Sequence, residues 1–241
     1  LLRCHAGCET EAVVWALGLS MRDLFSAAPT ERPARRERGE IVATYDYTDA
    51  DGRLLYQVVR CHPKDFRQRR PNGNGGWVWS LEGVQRVLYR LPDVLAAVRT
   101  GRTIYVVEGE KDADALAALG LVATTNPGGA GKWQDSYSGV LRGARVVIIP
   151  DNDDAGRQHA EQVARSLHGV AAEVRVLELP GLPHKGDVSD WLRAGGTLEE
   201  LQRLADEAPV LAPAAPGAEL LLAPLSEVEA KPVEWLWRGW I

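Results

Sequence analysis

Three hydrophobic rhythms follow one another along the chain. Near the start, apolar residues at 13, 14, 17 and 19 share one helical face, and Ser20 is placed to cap a second short helix running through Phe25. Residues 41–61, "IVATYDYTDADGRLLYQVVRC", alternate and are rich in β-branched and aromatic residues, which predicts strands; the Asp51-Gly52 pair between two such runs marks a hairpin. The stretch "HPKDFRQRRPNGNGGWVWS" reads as a loop rich in Arg, Gly and Trp. Pro92 then falls in the first turn of a helix, "LPDVLAAVRTG", that closes at Gly101.

From residue 103 the rhythm becomes strand–helix alternation. "TIYVV" precedes a helix over 110–119. "LVATT" precedes the loop "NPGGAGKW" and a helix near 134–141. "RVVIIP" precedes a helix across 155–167, and "AEVRVLEL" is a fourth strand. Such alternation predicts an α/β fold, a doubly wound parallel sheet with helices on both faces. A small α+β subdomain, hairpin plus helix, is expected ahead of it.

Breaks in rhythm and composition divide the chain. Residues 1–26 hold a Cys/His cluster and the first helices. Residues 27–40, with two prolines and four arginines, read as a linker. Residues 41–102 form the small subdomain and 103–207 the parallel-sheet domain. Residues 208–233, rich in Ala, Pro and Leu, read as a second linker. The closing 234–241, in the Trp-rich "VEWLWRGWI", are expected to start a further domain. The chain does not begin with Met, so a fragment or processed product is expected.

Charge sharpens this division. Residues 31–102 carry 14 Lys/Arg against 9 Asp/Glu, while residues 103–241 carry 12 against 21, within a net charge of −5. A basic part suits a polyanion and an acidic part suits cations, although both are also ordinary solvated surfaces. Three cysteines, Cys4, Cys8 and Cys61, are too few and too odd in number for a disulfide-stapled secreted domain, which points to a reducing, cytoplasmic setting. No apolar run approaches the roughly 18 residues of a membrane span.

The acids supply the candidate chemistry. Glu108 follows one apolar strand, Asp151 and Asp153 follow another, and Asp187 and Asp190 come after the fourth. Parallel strands bring such ends to one edge, where ligands bind. Taken singly, each acid reads equally well as a helix cap or a solvated turn. Together they repel unless a divalent cation neutralises them, and an all-oxygen set favours Mg²⁺ or Mn²⁺. Two other motifs fail on spacing. "DNDDAG" starts like a calcium-binding loop, but Gln162 stands where a bidentate Glu is needed. "NPGGAGKW" resembles a phosphate loop but has Asn126 and Trp133 at decisive positions; its backbone and Lys132 remain able to approach a phosphate.

"VVEGEKDADAL", "IIPDNDDAGR" and "KGDVSDWL", in that order, resemble a Toprim domain, the metal-binding fold of bacterial-type primases and of type IA and II topoisomerases. The resemblance covers about residues 103–200 and is nearest to phage or plasmid primases fused to helicases. "CHAGC" is similar to the second half of a zinc ribbon, making Cys4 and Cys8 partial Zn²⁺ ligands that need a longer chain to complete the site; free thiols are the alternative. The end of the chain is similar to the entry of a RecA-like helicase domain.

This resemblance implies a DNA primase core: a nucleotidyltransferase joining NTPs into short RNA primers on a single-stranded DNA template, partnered by a helicase and with no membrane role. Glu108, Asp151 and Asp153 are the implied catalytic acids and metal ligands, with Asp187 a further ligand, Asp190 a weaker candidate, and Asp112 supporting through water. Gly109 admits a phosphate. Asp154 is either a ligand neighbour or a helix cap. Lys111, Lys132 and Arg157 are candidate triphosphate or template contacts, or plain surface charges. Arg67, Arg69 and Arg70 with Trp77 and Trp79 combine phosphate contacts with stacking faces, unless the alternating Trp residues face a core. Two rivals stand: a Toprim nuclease or topoisomerase, and a non-catalytic nucleic-acid-binding Toprim module of a helicase.

Overall fold

The computed structural model describes residues 7–21 and 39–211. Cys4, the second short helix, most of the 27–40 linker, the 208–233 linker beyond residue 211 and the 234–241 segment lie outside the described residues. The chain divides into two compact units, 1–40 and 41–241. In the first, helix α1 (Thr10–Ala16) buries Val14, and Cys8 is an exposed free thiol.

The second unit opens with an antiparallel sheet of four strands in the order β1 (Glu40–Thr48), β2 (Leu54–His62), β3 (Asp65–Pro71) and β4 (Trp77–Val78). The hairpin at Asp51-Gly52 is present. Asp49 Oδ1 accepts the N–H groups of Asp51 and Arg53, both at 2.9 Å, and Gly52 takes the left-handed φ of 81° that the turn requires. The loop expected over residues 62–80 is corrected: it contains β3 and β4. β3 pairs with β2 in the register Gln57↔Arg69 and with β4 in the register Arg70↔Val78. Its sequence, "DFRQRRP", offers one large apolar side chain, so the pairing, not hydrophobic alternation, makes it a strand. Helix α2 (Leu91–Thr100) carries Pro92 in its first turn and ends at Gly101, as expected.

The four strands β5 (Ile104–Val106), β6 (Val122–Thr124), β7 (Arg145–Ile148) and β8 (Glu173–Val176) are all parallel, in the order β6-β5-β7-β8. They alternate with α3 (Glu110–Ala118), α4 (Asp135–Val140) and α5 (Asp154–Leu167), and are followed by α6 (Val188–Arg193) and α7 (Leu198–Glu207).

Successive strand residues point to opposite faces, and the core obeys that rule. Tyr105, Val107, Ala123, Val147 and Ile149 join one cluster with residues of α3, α6, α7 and the tyrosines of the antiparallel sheet. Ile104, Val106, Val122, Val146 and Ile148 join a second cluster with α2, α4 and α5. Helices therefore cover both faces. The chain leaves β5 toward β6 and returns across it to β7, so the topological switch point lies between β5 and β7, where α/β sheets bind ligands.

Candidate active site

Glu108 leaves the end of β5 and Asp151 the end of β7, on the two sides of the switch point. Both line a cleft of about 390 Å³. Gly109, Gly128 and Gly129 line it from the same domain, and Lys64, Phe66 and Gln68 face them from the antiparallel sheet. Glu108 is held by its backbone, whose carbonyl accepts from Thr125 Oγ1 at 2.8 Å. Its Oε2 is buried with no hydrogen-bond partner among the described residues. Burial pushes its carboxyl above the ordinary range, the charges of Asp153 and Asp112 add to that, and Lys64 opposes. Asp151 is pushed up to about 8, first by burial and then by Glu108, Asp112, Asp187 and Asp153.

The remaining acids are engaged. Asp153 is the N-cap of α5: its Oδ1 accepts from Gly156 N at 2.8 Å. Asp154 is exposed one residue further on and pairs with Arg157 at 2.7 Å, so the capping role suggested for it belongs to its neighbour. Asp187 caps α6 in a reciprocal box with Asp190 and also receives Lys111 Nζ at 2.5 Å. Asp112 is buried in the first turn of α3, where its Oδ1 accepts from Ser189 N at 3.1 Å and Ser189 Oγ at 2.5 Å. Burial raises its carboxyl; Asp187 adds to this, while Ser189 and Lys111 counter it. Asp190 is lowered by Arg193 and by the Asp187 backbone. No group of three or more His, Cys, Asp or Glu side chains among the described residues is already closed around a cation position. Glu108 and Asp151 do present what a cation needs: oxygen donors, an orphaned buried oxygen, and carboxyls that burial first, and neighbouring like charges second, push toward the protonated form.

Asn152 fastens two of these motifs together. Its N–H donates to Gly186 O and its carbonyl accepts from Lys185 N, both at 2.9 Å, while Nδ2 donates to Leu182 O at 2.8 Å. The loop leading to Asp187 is thus sewn to the Asp151 turn. Close packing fixes the turn from the other side: a Cβ on Gly156 would stand 2.4 Å from Asp151 O.

The glycine loop is pinned from behind. Asn126 Nδ2 donates to Gly129 O at 2.9 Å, and Gly131 N donates to His159 Nδ1 at 3.1 Å. Trp133, at the place a phosphate loop reserves for Ser or Thr, is buried and donates to Ser138 Oγ at 2.8 Å. Lys132 is exposed. Arg157 pairs with Asp154 and donates to Asn152 Oδ1 at 3.3 Å, and it lines a separate groove beside α5.

The basic and aromatic candidates divide between the two faces of the antiparallel sheet. Gln68 and Phe66 line the cleft, and Arg70 shares their alternation, its Nε buried without a partner. Arg67 and Arg69 belong to the other face. Arg67 pairs with Asp65 at 2.8 Å. Arg69 lies over Trp77 at 4.1 Å and Trp79 at 5.4 Å from the ring centroids. Both Trp side chains are over a third exposed, 37% and 39%, so they are not core residues of a strand.

Sequence reading missed Lys64, Glu110, Asn152 and Ser189. Lys64 belongs to the cleft wall because β3 starts beside it. Glu110 is buried in the first turn of α3 and accepts the Tyr47 hydroxyl at 2.8 Å, tying the antiparallel sheet to the acidic edge. An acid flanking the Glu-Gly pair was its one visible signal.

Comparison with known proteins bears on the fold that carries this site. Residues 105–192 match a family model described as Toprim-like. The Gene 57 protein of Mycobacterium phage D29 is 28% identical over 116 residues, 48% of this chain and 71% of that protein. The zinc-binding and RNA polymerase domains of Aquifex aeolicus primase superpose with a TM-score of 0.56 at 23% identity, covering 84% of this chain and 50% of that one. A DNA primase domain from Pseudomonas aeruginosa gives 0.53 at 25% identity, over 70% of this chain and 51% of that one. The chain thus spans about half the length of the primase structures it matches, and its fold is theirs. Among the described residues, no helix is long and apolar enough to cross a membrane.

Proposed function

We propose that this chain, which carries a Toprim-like domain at residues 105–192, is the core of a DNA primase that joins nucleoside triphosphates into short RNA on single-stranded DNA. The observation that carries this reading is the pairing of Glu108 and Asp151 across the switch point, in a cleft walled by glycines on one side and Lys64 on the other.

In primer synthesis a 3′-hydroxyl loses its proton and attacks an α-phosphate, and pyrophosphate leaves. Mg²⁺ or Mn²⁺, when bound, supplies charge neutralisation on the phosphoryl oxygens and acidifies the hydroxyl. Glu108 and Asp151 are the residues that would hold it; Asp153 has one oxygen committed to its cap and its other oxygen free to contribute. Asp112 and Asp187 act from behind, by field and by fixing α6. As the alternative to holding the ion, Glu108 takes the hydroxyl proton. Gly109, Gly128 and Gly129 let phosphates approach the backbone closely, with Lys64 lining the same cleft as a neutralising charge and the exposed Lys132 a further candidate. Cys4 and Cys8 are candidate partial ligands of a Zn²⁺ site, and a helicase is the proposed protein partner.

The topoisomerase alternative requires a nucleophilic tyrosine. All 6 tyrosines of the chain are buried, so none offers a free hydroxyl to a DNA phosphate. The deciding experiment is template-dependent synthesis on single-stranded DNA with Mg²⁺ or Mn²⁺. Wild type should yield primers, and Glu108→Gln and Asp151→Asn should lower the rate by about 10²-fold or more. Absence of product from a longer protein carrying the whole zinc module sinks the reading.

A further inference from the structure

His159 is buried in the second turn of α5, outside the cleft, and it is bonded to the loop that lines the cleft. Its Nδ1 accepts the Gly131 N–H at 3.1 Å. A backbone amide can only donate, so Nδ1 carries no proton and the neutral ring holds its proton on Nε2. Burial lowers the His159 pKa, against a hydrogen bond with Gln162, and so favours the neutral ring that this contact needs.

The loop it holds is rich in freedom. Gly128, Gly129 and Gly131 take left-handed φ values of 91°, 74° and 73°, and glycine loses more conformational freedom than any other residue when it is fixed. Two buried side chains fix it: Asn126 Nδ2 donates to Gly129 O at 2.9 Å, and His159 receives Gly131. Among the described residues the N–H groups of Gly128, Gly129 and Ala130 have no hydrogen-bond partner. Successive free amides in a turn of this kind make a concave seat for an anion. The helix behind the loop matters as much. Gly156, one turn before His159 on the same buried face, abuts the backbone of Asp151, and Asp153 caps the helix. α5 therefore carries the support of the acidic turn and the anchor of the glycine loop one turn apart.

We propose that His159 is a positioning residue: through Gly131 it holds the glycine loop where the β- and γ-phosphates of the incoming nucleotide are received, at a fixed distance from the Asp151 turn. The proposal rests on the primase reading for the identity of those phosphates, which leave together as pyrophosphate. It adds that the seat of the leaving group is set from α5, by a residue that touches neither nucleotide nor ion. Without the Nδ1 contact the loop keeps its amides but loses their placement, and a phosphate must order the loop before it can bind.

The test is calorimetric titration of the full chain with inorganic pyrophosphate in the presence of Mn²⁺, with Mn²⁺ alone beside it. Asparagine sets Oδ1 where histidine has Nδ1, whereas glutamine carries its oxygen one bond further out. His159→Leu and His159→Gln should weaken pyrophosphate binding by about 5–10-fold, the loss of one ordinary hydrogen bond, and leave Mn²⁺ binding within about 2-fold. His159→Asn should return pyrophosphate affinity to within about 2-fold of wild type. In primer synthesis the first two variants should raise KM for nucleoside triphosphate and leave kcat nearly unchanged, the signature of lost placement in the ground state. Melting curves identify a variant that does not fold, and His159→Gln, polar and close in size, decides the matter where His159→Leu does not. Unchanged pyrophosphate affinity in His159→Gln, an equal loss in His159→Asn, a parallel loss of Mn²⁺ binding, or no pyrophosphate binding by wild type overturns the proposal. A wild type whose pyrophosphate binding follows this pattern, yet which makes no primer, removes the primase reading and leaves the role of His159 standing.

Discussion

Lys111 and Asp187, 76 residues apart in sequence, meet at 2.5 Å and so join the first turn of α3 to the first turn of α6. Burial works against the ammonium, but the Asp187 hydrogen bond and the fields of Asp112, Asp187 and Asp190 outweigh it and raise the Lys111 pKa. The ammonium thus occupies the ground where a cation would otherwise be drawn. Lys111→Met should tighten Mn²⁺ binding by about 2–5-fold and cost about 1 kcal/mol of stability, because a half-exposed pair contributes little more. Calorimetric titration and chemical denaturation read the two effects separately.

Asp151 gives the pH dependence. Its folded carboxyl titrates near 8, far above its value in an unfolded chain. Between roughly pH 4 and the folded value, the native state holds a proton that the unfolded state has released, so stability falls as pH rises through that window. Glu108 and Asp112, also raised, act in the same direction. Without divalent ions, Asp151→Asn should raise the melting midpoint at pH 8 by about 3–6 °C, the shift that about 1–2 kcal/mol produces in a domain of this size. Mn²⁺ should stabilise wild type at pH 8 more than at pH 6 and should hardly move the variant. Scanning calorimetry at the two pH values checks all of this.

Gly156 is a steric requirement. Alanine in a helix interior gains about 1 kcal/mol over glycine. Here its Cβ would lie 2.4 Å from Asp151 O and 2.9 Å from Asp151 N, both backbone atoms with little freedom to move. Overpacking should win, giving a net loss of about 1–2 kcal/mol and weaker Mn²⁺ binding, because the displaced atoms carry a proposed ligand.

Tyr47 and Glu110 form a buried bridge. Tyr47→Phe leaves Glu110 Oε1 without its donor and should cost about 1–3 kcal/mol. Glu110→Gln keeps an acceptor for the hydroxyl and should cost less. Urea unfolding of both variants and their double mutant measures the coupling.

The acidic edge was legible because an apolar strand that stops at a carboxylate announces both the strand and the edge of the sheet where it ends; Glu108 and Asp151 illustrate this. The parallel sheet and helices on both faces followed from the same rhythm. β3 was illegible because "FRQRR" shows no apolar stripe, and with it went the positions of Lys64 and Arg70, one at the cleft wall and the other on the cleft side of the sheet. α7 had a readable signal in Leu198, Leu201 and Leu204, and its cap is present, with Thr197 accepting from Glu200 N at 3.2 Å. What no linear pattern carries is the division of labour among the acids: which one caps, which one pairs with a lysine and which one is left over depends on helices brought together from distant segments.

Asn152 has a consequence for how a cation is received. Because it sews the 182–186 loop to the Asp151 turn, the second and third acidic motifs behave as one body, not as two segments recruited separately. The entropy of assembling them is spent during folding, before any ion arrives. For a cation bound as proposed, only the Glu108 side of the cleft would remain to be organised, and the middle residue of the Asp-Asn-Asp triplet would set how rigid the receiving wall is.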